Sequence, residues 1–128
     1  MLLNERLTIG KITLIVLAAF LSACAVPAQV AVPRPFTAAG ISVSGIGLVV
    51  NNAGEVTAIK GVATNVSEYN FQMCTLTFGL FNSSGVKVSD AIATTVAFRS
   101  GQQWAFEAAI STPGVLFNSV QPGSIIAF

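Results

Sequence analysis

Residues 71–81 read Phe71-Gln72-Met73-Cys74-Thr75-Leu76-Thr77-Phe78-Gly79-Leu80-Phe81, and their parity decides the fold. In an extended chain Cys74, Leu76, Phe78 and Leu80 share one face, and Met73, Thr75, Thr77 and Gly79 share the other. Alternation with a period of two marks a half-buried strand, whereas a helix would repeat every 3.6 residues. The same period runs outward in both directions. Val86, Val88, Ile92, Val96 and Phe98 are expected to form one face against Lys87, Ser89, Ala91, Ala93 and Arg99. Trp104, Phe106, Ala108 and Ile110 oppose Ala105, Glu107, Ala109 and Ser111. Strands are expected over 41–50, 56–66, 72–81, 86–98 and 103–110, with a short one over 124–128. Between them lie 51–54, 82–85, Ser100-Gly101 and Pro113-Gly114, which tolerate positive φ or initiate turns. Short strands with a turn about every ten residues predict an all-β antiparallel sandwich of about six to seven strands around an aromatic core. A six-stranded barrel is the runner-up.

Three segments carry a family resemblance. Phe78-Gly79-Leu80-Phe81-Asn82 resembles the signature of the FxLYD domain, with Phe81 in the Tyr place and Asn82 in the Asp place. Ile59 to Asn65 is similar to that family's Gly-x-Val-x-Asn strand, with Gly61 and Asn65 at its ends. Ser100-Gly101-Gln102-Gln103-Trp104-Ala105-Phe106 resembles its Pro-Gly-x-x-x-x-Phe segment. The resemblance implies an immunoglobulin-like β-sandwich on a bacterial envelope protein and brings no catalytic residues. The chemistry of the same positions is structural. Phe78 and Leu80 point to the core, Asn82 bonds its side chain to the following backbone, and Trp104 and Phe106 cap the core. Stacking of a ligand such as a sugar on Trp104 is the alternative.

The N-terminus has a different logic. Arg6 and Lys11 precede a run over 12–21 that is apolar but for Thr13. Ten residues rise about 15 Å as a helix, half of a hydrocarbon core near 30 Å, so the run suits an export leader and not a membrane span. Leu21-Ser22-Ala23-Cys24 resembles the lipobox of bacterial lipoproteins. That resemblance implies cleavage before Cys24 and diacylation of its thiol, a covalent lipid in place of any cofactor. The expected organisation is a leader over 1–23, a lipidated N-terminus and tether over 24–40, and a β-domain over 41–128. Pro27, Pro33 and Pro35 make 25–35 a semi-extended tether, able to hold the domain some 30 Å from the membrane. Ala25, where Asp tends to retain lipoproteins at the inner membrane, suggests the outer membrane of a Gram-negative envelope, facing the periplasm.

The 105 residues from Cys24 onward carry Arg34, Lys60, Lys87 and Arg99 against Glu55, Glu68, Asp90 and Glu107. They are neutral overall, with no basic patch for nucleic acid. Eight charges are far fewer than the roughly one in four usual in globular proteins, a hint of surfaces covered by partners. With no histidine, no serine triad or ordinary zinc site can be built. No metal is expected, and Cys74 reads as a small buried hydrophobe. A carboxylate pair of Glu55 and Glu68 is the one remote route to glycoside chemistry. Gly45-Ile46-Gly47-Leu48 is too short of glycine for a phosphate loop. The expectation is not an enzyme but an accessory subunit of a cell-envelope complex, such as a secretion or pilus apparatus. The alternative is a monomeric module binding a ligand, peptide or glycan. Strands 41–50 and 124–128 contain neither charge nor proline, so one of them is expected to be an unguarded edge that another chain covers.

Overall fold

The computed structural model describes residues 29–128. Two turns in it are built by the same device. The Asn51 Oδ1 accepts from the N–H groups of Ala53 (2.9 Å) and Glu55 (3.0 Å). The Asn82 Oδ1 accepts from those of Ser84 (2.9 Å) and Val86 (3.0 Å). Each turn closes on a glycine in the left-handed region, Gly54 at φ 81 and Gly85 at φ 78. An asparagine that satisfies two backbone donors and a glycine that turns without a Cβ penalty zip the flanking segments into hairpins.

The strands are β1 (Phe36–Ala38), β2 (Ile41–Val50), β3 (Val56–Asn65), β4 (Phe71–Phe81), β5 (Lys87–Phe98), β6 (Gln103–Ile110) and β7 (Ser119–Ala127). They form one antiparallel sheet in the order β1-β2-β3-β6-β5-β4-β7. β5 and β6 pair only at Ala91 with Ile110 and at Ile92 with Ala109. The sheet folds over at this narrow junction, so that β1-β2-β3-β6 faces β5-β4-β7. The pairs β3–β6 and β4–β7 lie on the two halves of the folded sheet. β1 and β7 end the order unjoined, so the structure is an open sandwich with a barrel-like corner and not a closed barrel.

Aromatic rings knit the layers together. Phe78 of β4 stacks on Phe106 of β6 at 5.7 Å and meets Phe36 of β1 edge-on at 6.5 Å. Trp104 continues the row, 5.8 Å from Phe106 and 6.0 Å from Phe98 of β5. Cys74, Leu76, Phe78 and Leu80 are all buried, as their parity requires.

Four expectations need correction. First, β5 turns its small residues inward. Ser89, Ala91 and Ala93 are buried, while Ile92 and Val96 are 45% and 66% exposed. Ser89 stands opposite Leu80, Ala91 opposite Phe78 and Ala93 opposite Leu76, so large β4 side chains already fill the layer and leave room only for small neighbours. Ala97, at φ 52, then breaks the alternation and returns Phe98 to the core.

Second, the last strand begins at Ser119, not 124, because residues 119–122 also pair with β4. It therefore includes Pro122. Third, the domain starts before residue 41. β1 joins the sheet, Val30 packs against the core, and Ala31 makes a parallel bridge to Ser119. The Ala31 N–H donates to the Asn118 carbonyl (2.9 Å), and its own carbonyl accepts from Val120 N–H (2.8 Å). What reads as tether is largely a strap on the domain, because an open sheet edge satisfies its backbone groups.

Fourth, the edges are guarded. Val120 spends its N–H on the outer side, and alternation turns Pro122, which has no N–H to offer, the same way. A bulge follows at Gly123, where a Cβ would sit 2.6 Å from the Thr77 carbonyl oxygen. In β2 a second bulge lies between Ser44 and Gly47, with Gly45 at φ 63. Both devices discourage strand addition.

Candidate functional site

Leu21, Ser22, Ala23 and Cys24 lie outside the described residues. The remaining positions singled out in sequence converge on structure. Gly61 lies under the Phe106 ring, where a Cβ would come within 2.7 Å of it and 3.0 Å of the Ser44 carbonyl oxygen. The two quoted segments that carry them therefore meet across β3 and β6. Leu80 is fully buried. Phe81 folds over Gly79, whose added Cβ would meet the ring at 2.8 Å, an aromatic cover for a bare stretch of strand. Trp104 is half-buried between Phe98 and Phe106.

Asn65, at the end of β3, is buried and has all its polar groups engaged. Its Nδ2 donates to the carbonyls of Tyr69 (2.8 Å) and Phe98 (3.0 Å). Its Oδ1 accepts from the Ser67 N–H (3.0 Å) and hydroxyl (2.6 Å). Its backbone bonds to Gln102 and Gly101 of the β5–β6 turn, where Gly101 has φ 80. Through its amide and its backbone, Asn65 thus ties together β3, the loop after it, the end of β5 and the following turn.

Among the described residues chemically reactive groups do not gather. Among the described residues no group of three or more His, Cys, Asp or Glu is placed to hold a metal ion. Glu55 precedes β3 and Glu68 follows it, so the ten-residue strand, about 33 Å long, separates them. Burial pushes the Cys74 thiol up from its ordinary value of 9.0, which keeps it protonated at neutral pH and a poor nucleophile.

Two surfaces remain. The outer face of β5-β4-β7 presents Ile92, Thr94 and Val96 beside Met73, Thr75 and Thr77, with Ile126 and Phe128 beyond. Thr75 and Thr94 hydroxyls join across the strands at 3.1 Å. Ile126 and Phe128 are more than half exposed. Charge occurs only at the ends of this face, in the Lys87–Asp90 ion pair (2.8 Å) and in Arg99. The second surface is a groove of about 550 Å³ at the end of the sandwich where the described chain begins. Val30, Leu48, Val50, Val56, Leu116 and Phe117 line it, with Glu55 on its rim.

Neither surface is legible in the alternation alone. The face was hidden by the inverted parity of β5. The groove is foreshadowed only by Val115-Leu116-Phe117, an apolar triplet within a connection between strands. No family model, curated protein or solved structure matches the chain.

Proposed function

We propose that the chain is a lipid-anchored protein of the bacterial envelope whose β-domain serves as an assembly subunit, binding another envelope protein through its surface and performing no chemistry. The observation that carries this reading is the uncharged outer face of β5-β4-β7. Fully buried interface cores are depleted of charge and rich in apolar side chains, and exposed apolar patches on small domains mark contact sites. Val96, Met73, Ile126 and Phe128 with their threonine neighbours have that composition.

The anchor rests on Leu21-Ser22-Ala23-Cys24, and Ala25 favours the outer membrane. The likeness to FxLYD domains is supported by the way its three segments meet: Gly61 beneath Phe106, Phe106 on Phe78, Asn65 bonded to Gly101.

The test is purification of the membrane-bound protein in mild detergent. A protein partner in fixed stoichiometry is expected, and it should be lost when Thr75→Lys and Val96→Lys are combined while the β-sheet circular dichroism stays unchanged. A wild-type protein that runs as a lone monomer, or a double variant that keeps its partner, overturns the assembly role. Mass spectrometry of the same material should find acyl chains on Cys24; an unmodified N-terminus at another residue overturns the anchor.

A further inference from the structure

We infer that the loop end of the sandwich rests on the bilayer surface, with Leu116 and the apolar groove beside it set into the headgroup region. This inference depends on the lipid at Cys24 and specifies how the anchored domain stands.

Chain length carries the first part of the argument. The strap is fastened at Ala31 by two backbone hydrogen bonds to Asn118 and Val120, and Gln29 already lines the groove. Five residue steps join Cys24 to Gln29, and a fully extended chain covers at most about 17 Å in five steps. The loop end is therefore held close to the lipid whatever path those residues take, and a tether of some 30 Å is excluded by the docking of residues 30–31.

The second part is what this end displays. β2, β4 and β6 finish here; β2 ends on Val50 (54% exposed), and the connections after β4 and β6 carry Val86 (57%) and Leu116 (87%). An almost fully exposed leucine beside an apolar groove is costly in water and favourable in the headgroup boundary. The charges near this end are few. Glu55 is hydrogen-bonded to the Asn51 side-chain amide at 3.2 Å, and Lys87 and Asp90 neutralise each other. The opposite end bears Glu68, Tyr69 and Arg99. A diacylated thiol already holds the chain at the membrane, so an apolar rim at the anchored end sets how the domain stands on it. With this end down, β4 and β5 stand up from the membrane, and the uncharged outer face is presented sideways to neighbouring proteins.

The experiment uses the fully processed protein reconstituted into phosphatidylcholine and phosphatidylglycerol vesicles that contain lipid brominated on its acyl chains. Leu116→Cys and Glu68→Cys, both at exposed positions, each receive an environment-sensitive fluorophore; the buried Cys74 takes no label, as the parent protein verifies. Bromine should quench the fluorophore at position 116 several-fold more than the one at position 68. Equal quenching at the two positions, or a water-exposed spectrum at 116, overturns the membrane contact while an acylated Cys24 in the same sample's mass spectrum leaves the anchor standing. An unacylated Cys24 overturns both.

Discussion

Asn65 bears the largest energetic consequence of any single polar side chain described. Its amide serves the Phe98 carbonyl in the buried interior and the Tyr69 carbonyl and Ser67 N–H at part-buried positions. An unsatisfied buried polar group costs about 1–3 kcal/mol, so Asn65→Ala should lower the unfolding free energy by about 3–5 kcal/mol in urea titration. Asn65→Asp should recover little, because a carboxylate keeps the acceptor for Ser67 but repels the Tyr69 and Phe98 carbonyls. Ser67→Ala should cost about 1 kcal/mol, since it removes one hydroxyl and leaves the amide in place. An Asn65→Ala protein as stable as the wild type would mean that water replaces the amide. Phe81 and Asn82 illustrate the same economy at the end of β4. The ring covers Gly79, and the Asn82 side-chain oxygen offers the acceptor that the turn requires.

At the scale of elements, the turns separate those whose residues suit them from one whose residues do not. The β1–β2 hairpin turns on Ala39 and Gly40, at φ 53 and 78, the two positive values that a two-residue hairpin of the favoured twist demands. Glycine is required at position 40 twice over, because a Cβ there would come 2.9 Å from the Ser67 Cβ. Alanine at 39 is strained, since only glycine, asparagine and aspartate visit this region readily. Ala39→Asn should raise stability by about 0.5–1 kcal/mol, read as a higher midpoint in thermal unfolding. A lower midpoint would show that the Ala39 methyl makes a contact worth more than the strain. β7 combines two opposed features in one strand. Its outer edge is blunted by the Ala31 bridge, Pro122 and the Gly123 bulge, while the exposed side chains of Ile126 and of Phe128, just after it, enlarge the apolar outer face. The strand is therefore built to be covered across its face rather than extended along its edge.

For the whole molecule, the strap matters because it covers the start of a β7 edge that the strands alone leave bare. Val30 packs on the core, and Ala31 satisfies a donor and an acceptor on the edge of β7. A soluble chain starting at Phe36 should be less stable than one starting at Gln29 by about 2–3 kcal/mol, from one partly buried valine and two hydrogen bonds. It should also associate more readily, because the start of β7 is uncovered. Equal urea midpoints for the two chains would mean that residues 29–35 merely lie along the domain. The same strap sets the distance from lipid to domain, so stability and orientation at the membrane share one structural cause.

The strand boundaries were legible because they depend on local chemistry. Period-two alternation and the asparagine and glycine turns placed five strands to within a residue at each end, together with the buried quartet of Cys74, Leu76, Phe78 and Leu80. The all-β sandwich followed from the spacing of those turns. Other features depended on what lay across the core or beside an edge, and no local pattern records that. Both faces of β5 are apolar in sequence; only the volume already filled by Leu76, Phe78 and Leu80 sends Ala91 and Ala93 inward and leaves Ile92 and Val96 outside. Residues 29–35 have no periodicity, and only an unpaired β7 edge makes Ala31 a partner. The groove at Leu116 exists because a loop, a turn and that strap come together at one end, an arrangement set by long-range pairing and not by the residues that line it.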